Sequence, residues 1–379
     1  MWYMNEDREL IRNAAREFAE KEVKPFVAEM EGNDTYPRHL VKRMGELGFT
    51  GLPYPESIGG VGSDWTTYGI VVEEISKVST TLALILLLNT CMAGIPIAEE
   101  GTEEQKLKWL KPCFAGEYNL AIAITEPVGI FNFVDFQTRA VREGDEWVIN
   151  GGKIFTSSAG QADYYVLATL TSDFDLAAGT GLTYFVVPGD APGFEVGHIE
   201  NKLGWHGSKT GQTYYKNIRL PKENQIGKVN QGYPVTLKWA AFECLGFGSM
   251  CLGSAVTAYE AAVKYTKQRM QMGKSLFDTH QMVRTQLAKM YMEIETLRSL
   301  TYATWAMVDQ NIDCMAQMYA VKVKAAQIQE YVTSEALVLL GGNGVVIEND
   351  VERHFRDAKV NAVGGGSVNT LIDVISVMI

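Results

Sequence analysis

Apolar residues recur at helical spacing almost from the first residue. Leu10, Ile11, Ala14, Phe18 and Val23 share one side of a run whose other positions are charged, which predicts a helix over residues 5–24 ending at Pro25. Residues 38–47 repeat the pattern after Pro37. Thr102-Glu103-Glu104-Gln105 has the form of a capping box and opens a further helix through Leu107, Trp109 and Leu110. Pro53-Tyr54-Pro55 and the glycine-rich residues 58–65 read as loop.

Near Tyr118 the texture changes. Short runs rich in Val, Ile, Thr and Tyr stand at residues 120–125, 146–149, 164–170, 182–187 and 212–218, separated by turns such as Asn150-Gly151-Gly152 and Pro188-Gly189-Asp190. They predict a meandering β unit without the alternating helices of a parallel sheet. No G-x-G-x-x-G joins a strand to a helix, which argues against a nicotinamide-binding Rossmann domain. After Pro234 helical periodicity returns in three long segments, about residues 235–269, 280–309 and 313–340, as in a helical bundle. The expected fold class is therefore α+β: an N-terminal helical domain (1–118), a middle β barrel or sandwich (119–228) and a C-terminal four-helix-type bundle (229–379).

Within the third domain, residues 239–259 are apolar apart from one formal charge, Glu243. A buried, unpaired carboxylate costs several kcal/mol or raises its pKa, and a pKa raised toward neutrality suits a general base. The plain alternative is a structural carboxylate that is satisfied or reaches solvent. The stretch is long enough for a membrane span, but its Glu, its three glycines and the nearby Lys238 and Lys264 favour a buried core helix.

Composition narrows the function. The net charge of -11, with no basic cluster, disfavours nucleic-acid binding. Five scattered cysteines and five scattered histidines form neither a disulfide framework nor a metal-ligand pattern and suit a reducing compartment. The N-terminus becomes acidic and helical at once, so no signal peptide is expected and a cytoplasmic location is.

Several strings then stand in a telling order: Thr125-Glu126-Pro127, Asn150-Gly151-Gly152-Lys153 before Phe155-Thr156-Ser157, Lys202-Leu203-Gly204-Trp205, Leu220-Pro221-Lys222-Glu223-Asn224, Gln268-Arg269 through Lys274 before His280-Gln281, Gly341-Gly342-Asn343-Gly344, and Arg356-Asp357-Ala358-Lys359. In this register the chain resembles the flavin-dependent acyl-CoA dehydrogenase family over essentially its whole length. The resemblance implies FAD, an acyl-CoA substrate, removal of a proton from Cα with hydride transfer from Cβ to the flavin, an electron-transferring flavoprotein as acceptor, and a homotetramer. It assigns Thr125, Phe155 (where the family usually has Trp), Thr156 and Ser157 to the isoalloxazine. Arg269 and Gln281 go to the FAD of a neighbouring subunit, and Gly341, Gly342, Gly344, Ser367 and Asn369 to the cofactor as well.

Most of the family carries its base in a Tyr-Glu-Gly-Thr segment, but here Gly364-Gly365-Gly366-Ser367 stands instead. A minority, including isovaleryl-type members, carry the base on the first long helix of the bundle, and that position is Glu243. Glu243 is therefore the expected base, with the Gly365 N–H holding the thioester carbonyl. Asn89, Thr90 and Cys91, with Gly364, would line the acyl pocket. Other positions depart from the pattern. Phe131 replaces a Ser that holds phosphate or CoA, Cys244 follows the base, and Trp205-His206 stands for a common x-Arg. The polar 88–92 segment and the volume opened by three glycines point to a branched, cyclic or aryl-substituted acyl group. Enoyl-CoA reduction, 1,4-dehydrogenation of a cyclic enoyl-CoA and a non-catalytic CoA- or flavin-binding relative stay open as alternatives.

Overall fold

The structure, a computed structural model, describes residues 1–379. Helix α1 (Glu6–Phe18) starts where the Asn5 side chain accepts the Arg8 N–H. Pro25 does not end the helical path. A π turn (Ala19–Val23) and a 3-10 turn holding Pro25 carry it into α2 (Val27–Asn33). Proline is tolerated there because the first turn of a new segment needs no N–H from it. Then come α3 (Arg38–Glu46), α4 (Trp65–Ser76) and α5 (Thr80–Leu87), which passes through a π turn over Leu88–Met92 into α6 (Gly94–Glu100). The capping box at Thr102 forms with both of its hydrogen bonds.

The strands are β1 (Leu120–Ala123), β2 (Arg139–Glu143), β3 (Glu146–Ser157), β4 (Tyr164–Asp175), β5 (Thr180–Pro188), β6 (Phe194–Ile199), β7 (Thr210–Pro221) and β8 (Gln225–Ile226). They form one sheet in the order β6-β7-β3-β2-β4-β5-β8, with β1 beside β4. Most neighbours are antiparallel, as a meander requires, but β1 runs parallel to β4 along its whole length. No hairpin turn ties β1 to β4, so nothing local dictates their relative direction. Strand β3 runs on through Asn150-Gly151-Gly152, which reads as a turn. A register shift between Ile149 and Gly151 absorbs the glycines, and a Cβ on Gly151 would sit 2.5 Å from the Thr138 hydroxyl.

Alternate residues of the central strands face different cores. Val166, Ala168 and Leu170 of β4, with Leu182, Tyr184 and Val186 of β5, join the apolar core shared with both helical domains. Tyr165 and Leu167, with Phe185 and Val187, fill a smaller core on the other face. Burial of both faces makes these strands read as continuous apolar runs.

The C-terminal domain comprises α7 (Tyr233–Gln268), α8 (Gln281–Asp309), α9 (Met315–Leu340), α10 (Val351–Asn361) and α11 (Val368–Ser376). Two helical stretches, 80–100 and 233–268, are long and apolar enough to cross a membrane, and both are mostly buried inside the protein. The first is a second such stretch beside the one around Glu243. Glycine lets α7 pack closely: a Cβ on Gly253 would lie 2.2 Å from the Glu73 carbonyl oxygen of α4.

Candidate active site

Four-residue spacing on α7 puts Trp239, Glu243 and Phe247 on one helix face, and all three line a cavity of about 560 Å³ between the β domain and the bundle. Glu243 is only 3% exposed. Burial pushes its carboxyl up to about 7, and the positive charge of Lys322 only partly opposes the shift. Lys322 is itself buried on α9, donates to the Asn361 carbonyl, and lies 4.1 Å from the centre of the Phe247 ring.

Opposite α7, the chain leaves α10 and turns through the three glycines into α11. Gly365 has φ +68, in the left-handed region, and a Cβ there would sit 2.8 Å from Glu243 Oε1. A side chain at 365 and the Glu243 carboxylate would compete for one space, so the two departures from the family pattern fit together sterically. Ser367 caps α11 and lines the cavity beside Thr370, whereas Asn369 is exposed and lies off the lining.

The third wall belongs to the β domain. Strand β3 shifts register again between Lys153 and Thr156, and Phe155 sits in that irregularity with φ +52 and 59% of its surface exposed. Bulges commonly re-aim a side chain beside an active site. Here one holds an aromatic ring out along the cavity wall. Thr125, Thr156 and Ser157 line the same wall, tied by the Ile154 N–H to the Thr125 carbonyl at 2.8 Å. Thr210, paired in register with Ser157, has a buried hydroxyl with no partner in the chain. An exposed aromatic ring, an orphaned hydroxyl and the hydroxyl-bearing Thr125 and Ser157 beside an apolar cavity fit a planar, hydrogen-bonding ring system such as isoalloxazine. Under this wall, Glu126 accepts from the Gln137 and Thr138 N–H groups and pairs with buried Lys153 at 2.7 Å. Burial would raise Glu126, but Lys153 and the N–H donors outweigh it and hold the carboxyl below the usual range; burial brings Lys153 down to about 8.

Several expected contacts are not brought together. Asn89, Thr90 and Cys91 do not line the acyl cavity. The Asn89 amide donates to the Ile85 carbonyl and to Asn119 and accepts the Leu120 N–H, Thr90 donates to the Thr50 carbonyl, and Cys91 faces the Tyr68 hydroxyl. Buried polar groups must find partners, and these do so within the N-terminal helices and at the start of β1, leaving apolar Leu84, Leu88 and Met92 toward the cavity. The inference of a polar acyl pocket is corrected accordingly. Phe131 packs half-buried against the core, and its neighbour Ile130 lines the cavity instead. Nor do the three glycines simply open volume. A Cβ on Gly364 would lie 2.3 Å from Trp205 Cη2, so the indole occupies that space.

Arg269 and Gln281 are exposed and lie off the cavity, around the short hairpin that carries Met272 at 97% exposure. A Cβ on Gly341 or Gly342 would meet nothing within 4 Å, whereas Gly344 closes on the Leu337 carbonyl of its own chain at 2.5 Å. Sequence reasoning missed Trp239, Phe247, Thr210 and Lys322. The four-residue spacing on either side of Glu243 is the signal that finds the first two; the others meet the site only through packing.

Three family models match in chain order: the acyl-CoA dehydrogenase N-terminal domain (residues 5–117), middle domain (121–218) and C-terminal domain (230–378). The chain is 38% identical over 365 residues to the short-chain specific acyl-CoA dehydrogenase of Clostridium acetobutylicum, covering 96% of this chain and 95% of that one. It is 33% identical to the caffeyl-CoA reductase-Etf complex subunit CarC of Acetobacterium woodii, covering 100% of this chain and 99% of that one. Among solved structures, butyryl-CoA dehydrogenase from Megasphaera elsdenii superposes with TM-score 0.94 at 31% identity, covering 99% of this chain and 98% of that one. The chain thus belongs to the acyl-CoA dehydrogenase family of flavoproteins, oxidoreductases acting on CH–CH bonds.

Proposed function

We propose that this protein catalyses FAD-dependent α,β-dehydrogenation of an aryl-bearing acyl-CoA thioester, with Glu243 as the base. The observation that carries the reading is the Glu243 carboxylate: buried, raised toward neutrality, and set against a glycine whose missing side chain leaves room for it. Glu243 would take the proton from the substrate Cα. The Gly365 N–H would donate to the thioester carbonyl and stabilise the charge that grows there as the proton leaves. Thr125, Thr156 and Ser157 would hold the flavin ring, Phe155 would pack beside it, and the unpartnered Thr210 hydroxyl offers it a further hydrogen bond. The chemistry supplied by bound FAD is acceptance of the Cβ hydride. The apolar walls exclude water, which strengthens the electrostatic effect of each polar group left inside.

An aryl-bearing acyl group is supported by the aromatic side chains around the base, Trp239, Phe247 and Trp205. It is supported too by the name of the Acetobacterium woodii relative, a reductase of caffeyl-CoA. That relative also favours a second reading, in which the same residues run the reaction toward reduction and Glu243 returns a proton to Cα. Its naming as an Etf-complex subunit supports an electron-transferring flavoprotein as partner. A homotetramer, in which Arg269, Gln281 and the open Gly341-Gly342 turn meet a neighbour's FAD, and a cytoplasmic location, suited by five free cysteines, complete the proposal.

Anaerobic bleaching of the flavin by 3-arylpropanoyl-CoA, in wild type and in Glu243→Gln, tests it. Bleaching in wild type that slows by ~10² or more in the variant is expected, the usual scale of a general base. Bleaching at the same rate in both would remove Glu243 from the role.

A further inference from the structure

Trp205 closes the Lys202-Leu203-Gly204-Trp205 string, and its placement is specified from several directions at once. Its backbone has φ +59, an uncommon conformation for a bulky residue that persists only where the surroundings enforce it. Two hydrogen bonds do so: its N–H donates to Asp357 at 2.8 Å, and its indole N–H donates to the Asn361 side chain at 2.8 Å. Asn361 is held in turn by Gln329 at 2.8 Å and by Lys322 through its carbonyl. The indole is thereby aimed into the cavity, against Gly364 and 6.1 Å from the Phe247 ring. Only glycine fits at 364 beneath it.

We propose that Trp205 is a specificity-determining residue, selecting a planar aryl-bearing acyl group over a linear alkyl chain. The inference rests on the aryl-acyl reading above and names the residue that enforces it. Indole and phenyl surfaces offer a flat ring stacking and edge contacts that a flexible alkyl chain does not match. The anchoring through α10 holds the indole in one position, so little ordering is left to be done when the substrate binds. The resulting discrimination belongs to the rigid wall rather than to the base.

The test compares kcat/KM for 3-phenylpropanoyl-CoA and butanoyl-CoA in the holoenzyme, in wild type, Trp205→Leu and Trp205→Phe. Flavin absorbance and thermal midpoint report that each variant is folded and loaded. In Trp205→Leu the aryl-to-butanoyl ratio is expected to fall about tenfold or more, the range one side-chain contact can provide. Trp205→Phe, which keeps an aromatic face without the N–H to Asn361, should fall between. An unchanged ratio in Trp205→Leu overturns the role of Trp205 even if wild type prefers the aryl substrate. A wild type that prefers butanoyl-CoA overturns the aryl reading itself. A Gly364→Ala variant adds an independent check: its loss of turnover should be relieved in the Trp205→Leu background, because the two side chains contend for one volume. If the two effects instead simply add, the pair does not form the wall proposed.

Discussion

At the scale of single residues, the site is organised around one ionisable group whose environment opposes its charge. Between the unfolded value of a glutamate and about 7, the folded state holds a proton on Glu243 that the unfolded chain has lost. The stability this provides is complete at low pH and is lost as pH rises through about 7, where the ionised carboxylate costs about 3 kcal/mol on ~1.4 kcal/mol per pH unit. Glu243→Gln removes the charge at similar volume, so the variant should melt above wild type at pH 8 and close to it at pH 5. Activity has the opposite sign: dehydrogenation needs the carboxylate and should rise with pH through about 7, while reduction needs the acid and should fall. Single-turnover rates in each direction, measured from pH 5.5 to 8.5, check both slopes; parallel slopes would contradict a single group serving both. The identity of this residue was legible in the sequence, because one charge in an apolar helix is a local anomaly. Its relation to Gly365 was not, because 122 positions separate them and only packing brings them together.

At the scale of elements, what matters is how irregular backbone is held at the cavity. The β3 irregularity that presents Phe155 is underpinned by the Glu126–Lys153 pair, which ties the loop after β1 to β3 with both side chains almost wholly buried. Removing one partner leaves the other charge buried and alone, so Glu126→Gln is expected to cost about 3–5 kcal/mol, measured by denaturant unfolding of the holoenzyme. Replacing both, as in Glu126→Gln with Lys153→Met, should recover most of that loss. A single variant as stable as wild type would show the pair to be dispensable. The helices with clean periodicity or caps, α1 and α7–α9, were readable because their signals are local and repeated. Strands β2 and β6 were not. β2 buries only Ala140 and β6 is largely exposed, so neither carries an apolar pattern, and both exist because a neighbouring strand offers its edge.

At the scale of the whole molecule, the chain ends its own cavity but leaves other features facing outward. Arg269 and Gln281 lie beside an exposed hairpin, and Val345, Ile347, Val338 and Met282 expose between 71% and 81% of their surface. In the homotetramer proposed above, these apolar side chains would lie at a contact between subunits, and a native mass near four times the 42.0 kDa chain is the expected outcome. Arg269→Ala should then lose FAD on gel filtration although it lies outside its own subunit's cavity. A stable, flavin-loaded monomer would refute both expectations. By itself the sequence determined the three-part order of helices, sheet and helices, the family, and the lone carboxylate, since each is written in local spacing or in strings that need no partner. The tertiary structure alone decided which side chains meet. It turned Asn89, Thr90 and Cys91 away from the acyl cavity into hydrogen bonds with neighbouring helices and the start of β1, and it filled the space above Gly364 with an indole from 159 residues upstream. Those outcomes depend on satisfying buried polar groups and on filling volume in three dimensions, and neither requirement leaves a periodic mark along the chain.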